Sequence, residues 1–497
     1  MMKNIKNIPQ VKLGIISVSR NCFPVSLSEA RRHAVTEACR NIGLEIYDCP
    51  ITVENEVDAL KSVNDAVRHE VNAVVVFLGN FGPETAETLI ASKFTGPVMY
   101  VAAAEDSGDQ LVEGRGDAYC GMLNCSYNLG LRNIKAYIPE YPVGNPADLA
   151  KMILEFVPVA RGLLGLSDLK IVTFGPRPDD FLACNAPIKQ LFNLGVEIQE
   201  NSELDLLVSF KKHKDDPRIP EVAADMAKEL GSANSMPEIL TRLAQYELTL
   251  LDWMEEAKGT RNYVAFANKC WPAFQTEFGF VPCYVNSRLV SRGIPVACEV
   301  DIYGALSEYI GLCVSGSPVT LLDINNSVPA DMYASDISGK FDYRHAETFM
   351  GFHCGNTPIC CLNNASMKYQ LIMKRSLEPD TEPNITRGTL EGDIKPGQIT
   401  FYRLQGTAEG GLKSYIAHGE VLPVATRSFG GIGIFAIKEM DRFYRHVLIA
   451  DRYPHHGAVA FGHFGKALFT IFNMLGVPTI SYNRPKSLPY PSENPFN

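Results

Sequence analysis

The sequence predicts two doubly wound α/β domains followed by a β-rich, barrel-like C-terminal domain, with boundaries at residues 1–165, 166–330 and 331–497. Three observations lead there. Apolar strand-like runs alternate with helical spacing in the first part, the same pattern restarts near residue 169, and from about residue 331 glycine and proline divide the chain into short apolar segments.

The first βα unit is Val11 to Val18 followed by helical spacing from Ser28 to Ile42. Asn72 to Leu78 and Pro97 to Val101 repeat the buried-strand pattern, with a helix-like segment, Glu84 to Ser92, between them. The second α/β region opens at Leu169 to Gly175. Its segment from Pro220 to Ala257 reads as polar-faced helix, broken at Met236-Pro237. Beyond residue 331, Asp393 to Gln398 and Ser428 to Gly433 carry turn chemistry of the kind that joins strands in a barrel. A helix-like run from Gly465 to Leu475 and a proline-rich tail finish the chain.

With 497 residues the chain is too long for one core. Hydrophobic residues at 46% and charged residues at 21% describe an ordinary globular protein, and the net charge of −10 argues against a nucleic-acid partner, which needs a basic footprint. Residues 1–9 lack the apolar core of a signal peptide and no later run has the length of a membrane span, so a cytoplasmic protein with no membrane partner is expected. The 13 cysteines are odd in number and many lie in apolar runs, which reads as reduced buried thiols. No pair has C-x-x-C spacing, so a structural zinc site is not expected.

Three residues stand out as ligand types for a divalent cation: Glu299 after Ile294 to Cys298, Asp323 after Leu321-Leu322, and His456 in Pro454-His455-His456-Gly457. An acid placed directly after an apolar run is costly unless something pairs with it. The interval between the two acids fits strand, helix, strand, with Ala305 to Val314 helical and Pro318 to Leu322 the next strand. Adjacent parallel strands would then bring both carboxylates to one sheet edge, with Asp301 beside them. Helix caps or ordinary salt bridges are the plain alternative. His455 and His456 point to opposite sides of an extended chain, so one at most is expected on a given metal. His353, in a glycine-punctuated turn, and Trp271, beside Pro272, are weaker candidates for substrate contact, as are Arg20, His455 and His463; each has an equally plain reading as core or surface.

These segments resemble the L-fucose isomerase branch of the L-fucose/L-arabinose isomerase superfamily. The match rests on Glu299-Val300-Asp301 running through a helix with Gly304 to Asp323, on His456-Gly457 followed by Gly462-His463-x-Gly465 and Met474 to Pro478, and more weakly on the turn from His353 to Pro358. The resemblance implies Glu299, Asp323 and His456 as ligands of a divalent cation, usually Mn2+, and a homo-oligomer, in family terms a hexamer. The chain is short for that branch, and Ser17 to Pro24 and Lys269 to Pro272 look like a divergent subgroup. The L-arabinose isomerase branch has an additional histidine ligand where His353 stands in order.

The implied activity is aldose–ketose isomerisation of a monosaccharide through a cis-enediol, with Glu299 and Asp323 as ligands and acid/base groups. L-fucose, D-arabinose and a sulfonated sugar such as sulfoquinovose are the substrates in view, the last needing a cation that Arg20 would supply. A non-catalytic sugar-binding or regulatory protein, and a metal-dependent sugar aldolase or dehydratase, are the alternatives from other classes.

Overall fold

The structure, a computed structural model, describes residues 6–494. The first five residues and the last three of the proline-rich tail lie outside the described residues. Two compact units emerge: Pro9–Leu164, and a second that begins at Gly165 and takes in the segment ahead of Pro9. Asn7 ties that segment down within the second unit: its side chain donates to Val264 O at 2.7 Å and Gly293 O at 3.0 Å and accepts from Val264 N at 3.0 Å.

The first unit carries β1 (Leu13–Val18), β2 (Ile46–Asp48), β3 (Ala73–Leu78), β4 (Val98–Ala103) and β5 (Val143–Gly144). They form one parallel sheet in the order β2-β1-β3-β4-β5. Strands β1, β3 and β4 are buried throughout, as expected of continuous apolar runs covered by crossover helices on both faces. Those helices include Val25–Asn41, Glu56–Arg68 and Glu84–Lys93, which replace the expected Ser28 and Glu84 segments with slightly shifted ends.

In the second unit β6 (Leu169–Gly175), β7 (Glu197–Ser202), β8 (Tyr263–Ala267) and β9 (Val296–Ala297) make a parallel sheet ordered β7-β6-β8-β9. The long helical segment is two helices, Ile219–Leu230 and Leu240–Lys258, with Pro237 in the short turn between them. Nine further strands follow: β10 (Val319–Ser327), β11 (Thr348–His353), β12 (Leu362–Tyr369), β13 (Arg387–Ile394), β14 (Gly397–Gly406), β15 (Leu412–Leu422), β16 (Gly431–Ala436), β17 (His456–Phe461) and β18 (Ile480–Tyr482). Six of them close on themselves as β16-β11-β10-β17-β14-β15, with β15 returning to β16, and β12, β13 and β18 extend the ring. All six barrel pairings are antiparallel. Closure removes the edges that an open sheet would expose.

One expectation needs correcting here. The two acids do not close adjacent strands of one parallel sheet: β9 leads to Glu299 in the central sheet, whereas Asp323 lies within β10, a barrel strand. The helix Ile302–Ser315 joins them, and its residues from Tyr303 to Val314 are all buried because it packs on strands of both the central sheet and the barrel. Leucine, isoleucine, tyrosine and alanine fill it without a polar face, the composition of a helix enclosed on every side.

Candidate active site

The site starts from a backbone turn. After β9 the chain makes a tight turn over Cys298–Val300 in which Glu299 (φ 56°, ψ 22°) and Val300 (φ 56°) both adopt left-handed conformations. A β-branched residue in that region is strained, at a cost of about 1–3 kcal/mol per residue, and persists only where surrounding bonds impose it. Here Val300 N donates to Asn268 O at 2.8 Å and Asp301 N to Cys298 O at 3.1 Å. The turn leaves Glu299 6% exposed, and its Oε2 is buried without a hydrogen-bond partner among the described residues.

Asp323 and His456 meet for a different reason. They are directly opposite one another in the antiparallel β10–β17 pair, and opposed side chains share a face. His456 Nε2 lies 3.3 Å from Asp323 Oδ1 and 3.6 Å from Glu299 Oε2. Its other nitrogen is fixed: Nδ1 contacts Asp301 Oδ2 at 2.8 Å, and a carboxylate there makes Nδ1 the donor and turns the Nε2 lone pair toward Glu299 and Asp323.

Asp301 is held from three sides. It caps the helix Ile302–Ser315 by accepting from Gly304 N at 2.8 Å, and it receives both arms of the buried Arg403 guanidinium, each at 2.9 Å. Gln405 Oε1 accepts Arg403 Nε at 2.7 Å. A side chain at Gly304 would place Cβ 2.6 Å from Asp301 Oδ2 and 2.7 Å from Leu321 Cδ2, so glycine is what lets the carboxylate close over the helix start. Burial raises Asp301, but Arg403 and His456 outweigh it and hold the group well below the ordinary carboxylate range. Sequence reasoning placed Asp301 as a supporting residue and missed Arg403 and Gln405, which sit about a hundred positions downstream with no local signature.

The remaining groups differ in protonation. Burial pushes the Glu299 carboxyl up to about 7 against the opposing pull of His353 and His456. Asp323 is also pushed up by burial, yet hydrogen bonding and charge from His456, with His353 and His455, leave it below its usual range. His353 closes β11; its Nε2 lies 4.0 Å from Glu299 Oε2, and although burial lowers its pKa, Cys354, Glu299 and Asp323 bring it to about 9. His455 contributes as well, with Nε2 3.7 Å from Asp323 Oδ1, so the adjacent histidines do not divide cleanly into one at the site and one away from it.

Trp271 belongs to the same neighbourhood through a residue not foreseen from sequence. Phe181 packs edge-on against Trp271 with ring centroids 5.6 Å apart and against His455 at 5.6 Å. Two candidates lie elsewhere. His463 stacks on His418 at 4.3 Å, beyond the opposite end of β17 from His456, which corrects its assignment to this cluster. Arg20 belongs to the first unit, where it pairs with Glu84 at 3.5 Å and lies over the Phe81 ring.

The donor set suits a divalent cation. An imidazole nitrogen aimed between two carboxylates, one with an orphaned buried oxygen, is stable only with a positive charge among them, a proton or a metal. Cys184 also approaches His456 Nδ1, at 3.6 Å, but that nitrogen and Asp301 are already committed to each other.

Residues 14–167 match the fucose/sulfoquinovose isomerase N-terminal domain and residues 351–483 the L-fucose isomerase C-terminal domain. Sulfoquinovose isomerases of Priestia aryabhattai and Priestia megaterium are each 24% identical over 479 residues, 94% of this chain and 98% of theirs. One from Alkalicoccus urumqiensis is 25% identical over 320 residues, 63% of this chain and 65% of its own. Among the described residues no helix is long and apolar enough to cross a membrane. The chain belongs to the L-fucose isomerase-like superfamily as a divergent member, a sugar isomerase of the aldose–ketose class.

Proposed function

We propose that this protein is a divalent-metal-dependent isomerase that converts sulfoquinovose to its 2-keto isomer. The reaction class follows from family membership. The observation that carries the metal dependence is the His456 Nε2 lone pair, clamped through Asp301 and directed between Glu299 Oε2 and Asp323 Oδ1. The substrate rests on the relatives, which are sulfoquinovose isomerases.

Glu299, Asp323 and His456 would hold the cation, Mn2+ by family resemblance. Bound there, it supplies polarisation of the sugar's C1 and C2 oxygens. Glu299 is the better base, because its buried Oε2 has no hydrogen-bond partner among the described residues, whereas the Asp323 carboxylate is engaged by His456. It removes the proton from C2, the O2 proton passes to O1 to give a cis-enediolate, and the C2 proton is returned to C1. Asp323 stays ionised beside it. His353 faces Glu299 and, protonated, holds its charge; to ligate as the additional histidine it would first give up that proton. Trp271 and Phe181 offer a flat apolar wall to the sugar ring.

The sulfonate needs a cation, and Arg20 is the candidate, supplied by a neighbouring subunit of a homo-oligomer. Arg20→Ala should abolish turnover of sulfoquinovose and barely change that of L-fucose; equal losses on both would count against this role. The reading as a whole is tested by metal-stripped protein, with and without added Mn2+, assayed for ketose from sulfoquinovose, L-fucose, D-arabinose and L-arabinose. Ketose from sulfoquinovose that needs the metal is the expected result, and metal-independent turnover would sink the proposal.

A further inference from the structure

Two cysteines that the isomerisation does not use stand side by side in the connection between β11 and β12. They belong to the short helical turn Ile359–Cys361, in which Cys360 is exposed and Cys361 is buried. Their sulfurs lie 3.8 Å apart, in van der Waals contact. All four backbone groups of the pair are held. Cys360 N donates to Ser291 Oγ at 3.3 Å and Cys361 N to Pro358 O at 2.8 Å. Lys395 takes both carbonyls: its Nζ donates to Cys360 O at 2.7 Å and its backbone N to Cys361 O at 2.9 Å. The same connection carries Thr357, whose carbonyl accepts Ser287 Oγ at 2.6 Å, and Asn356, whose side chain donates to Val296 O in β9, just ahead of the Glu299 turn.

A buried thiol on its own behaves as a small apolar side chain. Here a solvent-facing thiol has a second thiol in contact behind it and an ammonium at its own carbonyl. That is the arrangement of a nucleophile with a resolving partner, because a nearby cation favours the thiolate and the second sulfur is already within reach. We propose that Cys360 and Cys361 are a reversible oxidation site, which closes to a disulfide between the neighbouring residues when the protein meets a small-molecule disulfide such as oxidised glutathione. The Cys360 thiolate attacks one sulfur of the oxidant and expels one thiolate, leaving a mixed disulfide. The Cys361 thiol then gives its proton to solvent and attacks the Cys360 sulfur, expelling the second thiolate. Two protein thiols are oxidised, the oxidant is reduced to two thiols, and no other reactant is needed. Adjacent Cα atoms are about 3.8 Å apart across a trans peptide, short of the roughly 4.4–6.8 Å that a disulfide ordinarily spans. The closed pair is therefore strained and easily reduced, which suits a switchable bond and not a structural one. Closure also turns the Cys360–Cys361 peptide, so that bonds to Ser291 and Lys395 are given up and the connection loosens its hold on the end of β9.

The test treats the full-length reduced protein with excess oxidised glutathione at mildly alkaline pH, blocks the remaining thiols with iodoacetamide and maps the products by mass spectrometry. The parent for this experiment is C22S/C120S, which removes the other exposed thiols. The expected product is a peptide in which Cys360 and Cys361 both escape alkylation, two hydrogens lighter than the reduced peptide and restored by dithiothreitol. Adding C361A, which keeps the nucleophile and removes the resolving thiol, should stop the reaction at a stable glutathione adduct on Cys360. Adding C360S should leave Cys361 free. A glutathione adduct that persists on Cys360 of the parent while Cys361 is alkylated, a C360S protein that still loses the Cys361 thiol, or two thiols left free in the parent would each overturn the proposal. Should C361A fail to fold, the parent and C360S maps decide between these outcomes.

Discussion

Two buried glutamates, one in each unit, meet opposite surroundings. Glu299 in the second unit is ringed by imidazoles, with His456 at 3.6 Å and His353 at 4.0 Å. Glu87, on the helix Glu84–Lys93 of the first unit, is equally inaccessible, and neither of its oxygens has a hydrogen-bond partner of nitrogen or oxygen among the described residues. Its neighbours are the Cys125 thiol, the like charge of Glu84 and a more distant Arg20, and burial pushes it up to about 8. The lesson is that burial alone does not mark a functional carboxylate. Glu299 differs in having imidazole nitrogens and a second carboxylate arranged around the same point, so that one cation satisfies several of them at once; Glu87 is satisfied by a proton.

The largest expected effect breaks the comparison at Glu299. Glu299→Gln keeps the shape but removes a metal ligand and the proton carrier, and should lower turnover by about 10³-fold or more. Its melting temperature in metal-free buffer should hold or rise, because a buried charge is removed. A variant that retains activity within tenfold would show that Asp323 is the base. Next comes Asp301, a carboxylate that Arg403 keeps charged. Arg403→Met makes Asp301 resemble Glu87 by withdrawing its cation, and breaking a buried pair from one side costs about 3–5 kcal/mol. Urea unfolding of the metal-free protein measures it, and a loss under 1 kcal/mol would mean that Gly304 N and His456 suffice to hold Asp301.

How much of this was visible in the sequence depended on distance along the chain. The strands β1, β3, β4 and β6 were legible because each is a short continuous apolar run, and the helix before Asp323 because apolar spacing extends over three turns. Glu299 was legible as an acid terminating an apolar stretch. What was not legible is pairing: nothing local says that Leu321-Leu322-Asp323 joins an antiparallel barrel instead of the parallel sheet that ends at Ala297, since a buried strand reads alike in both. The same limit hid Arg403 and Phe181, which reach the site from segments far away in sequence with no local signature.

The smallest effect sharpens the comparison from the side of Glu87. Below about 4.5 the carboxyl is protonated whether the unit is folded or not, and the residue has no influence on stability. Between 4.5 and about 8 the unfolded chain ionises while the folded one keeps its proton. The folded state then binds more protons, and stability falls as pH rises, levelling off above 8. Glu87→Gln removes that dependence, so the variant should match the parent well below pH 4.5 and exceed it by roughly 3 kcal/mol at pH 7. Thermal unfolding at a series of pH values checks the claim. Curves that stay parallel would mean that the Glu87 carboxylate remains ionised, held by Arg20 as Glu299 is held by its histidines, and the distinction between the two glutamates would then lie in metal binding alone.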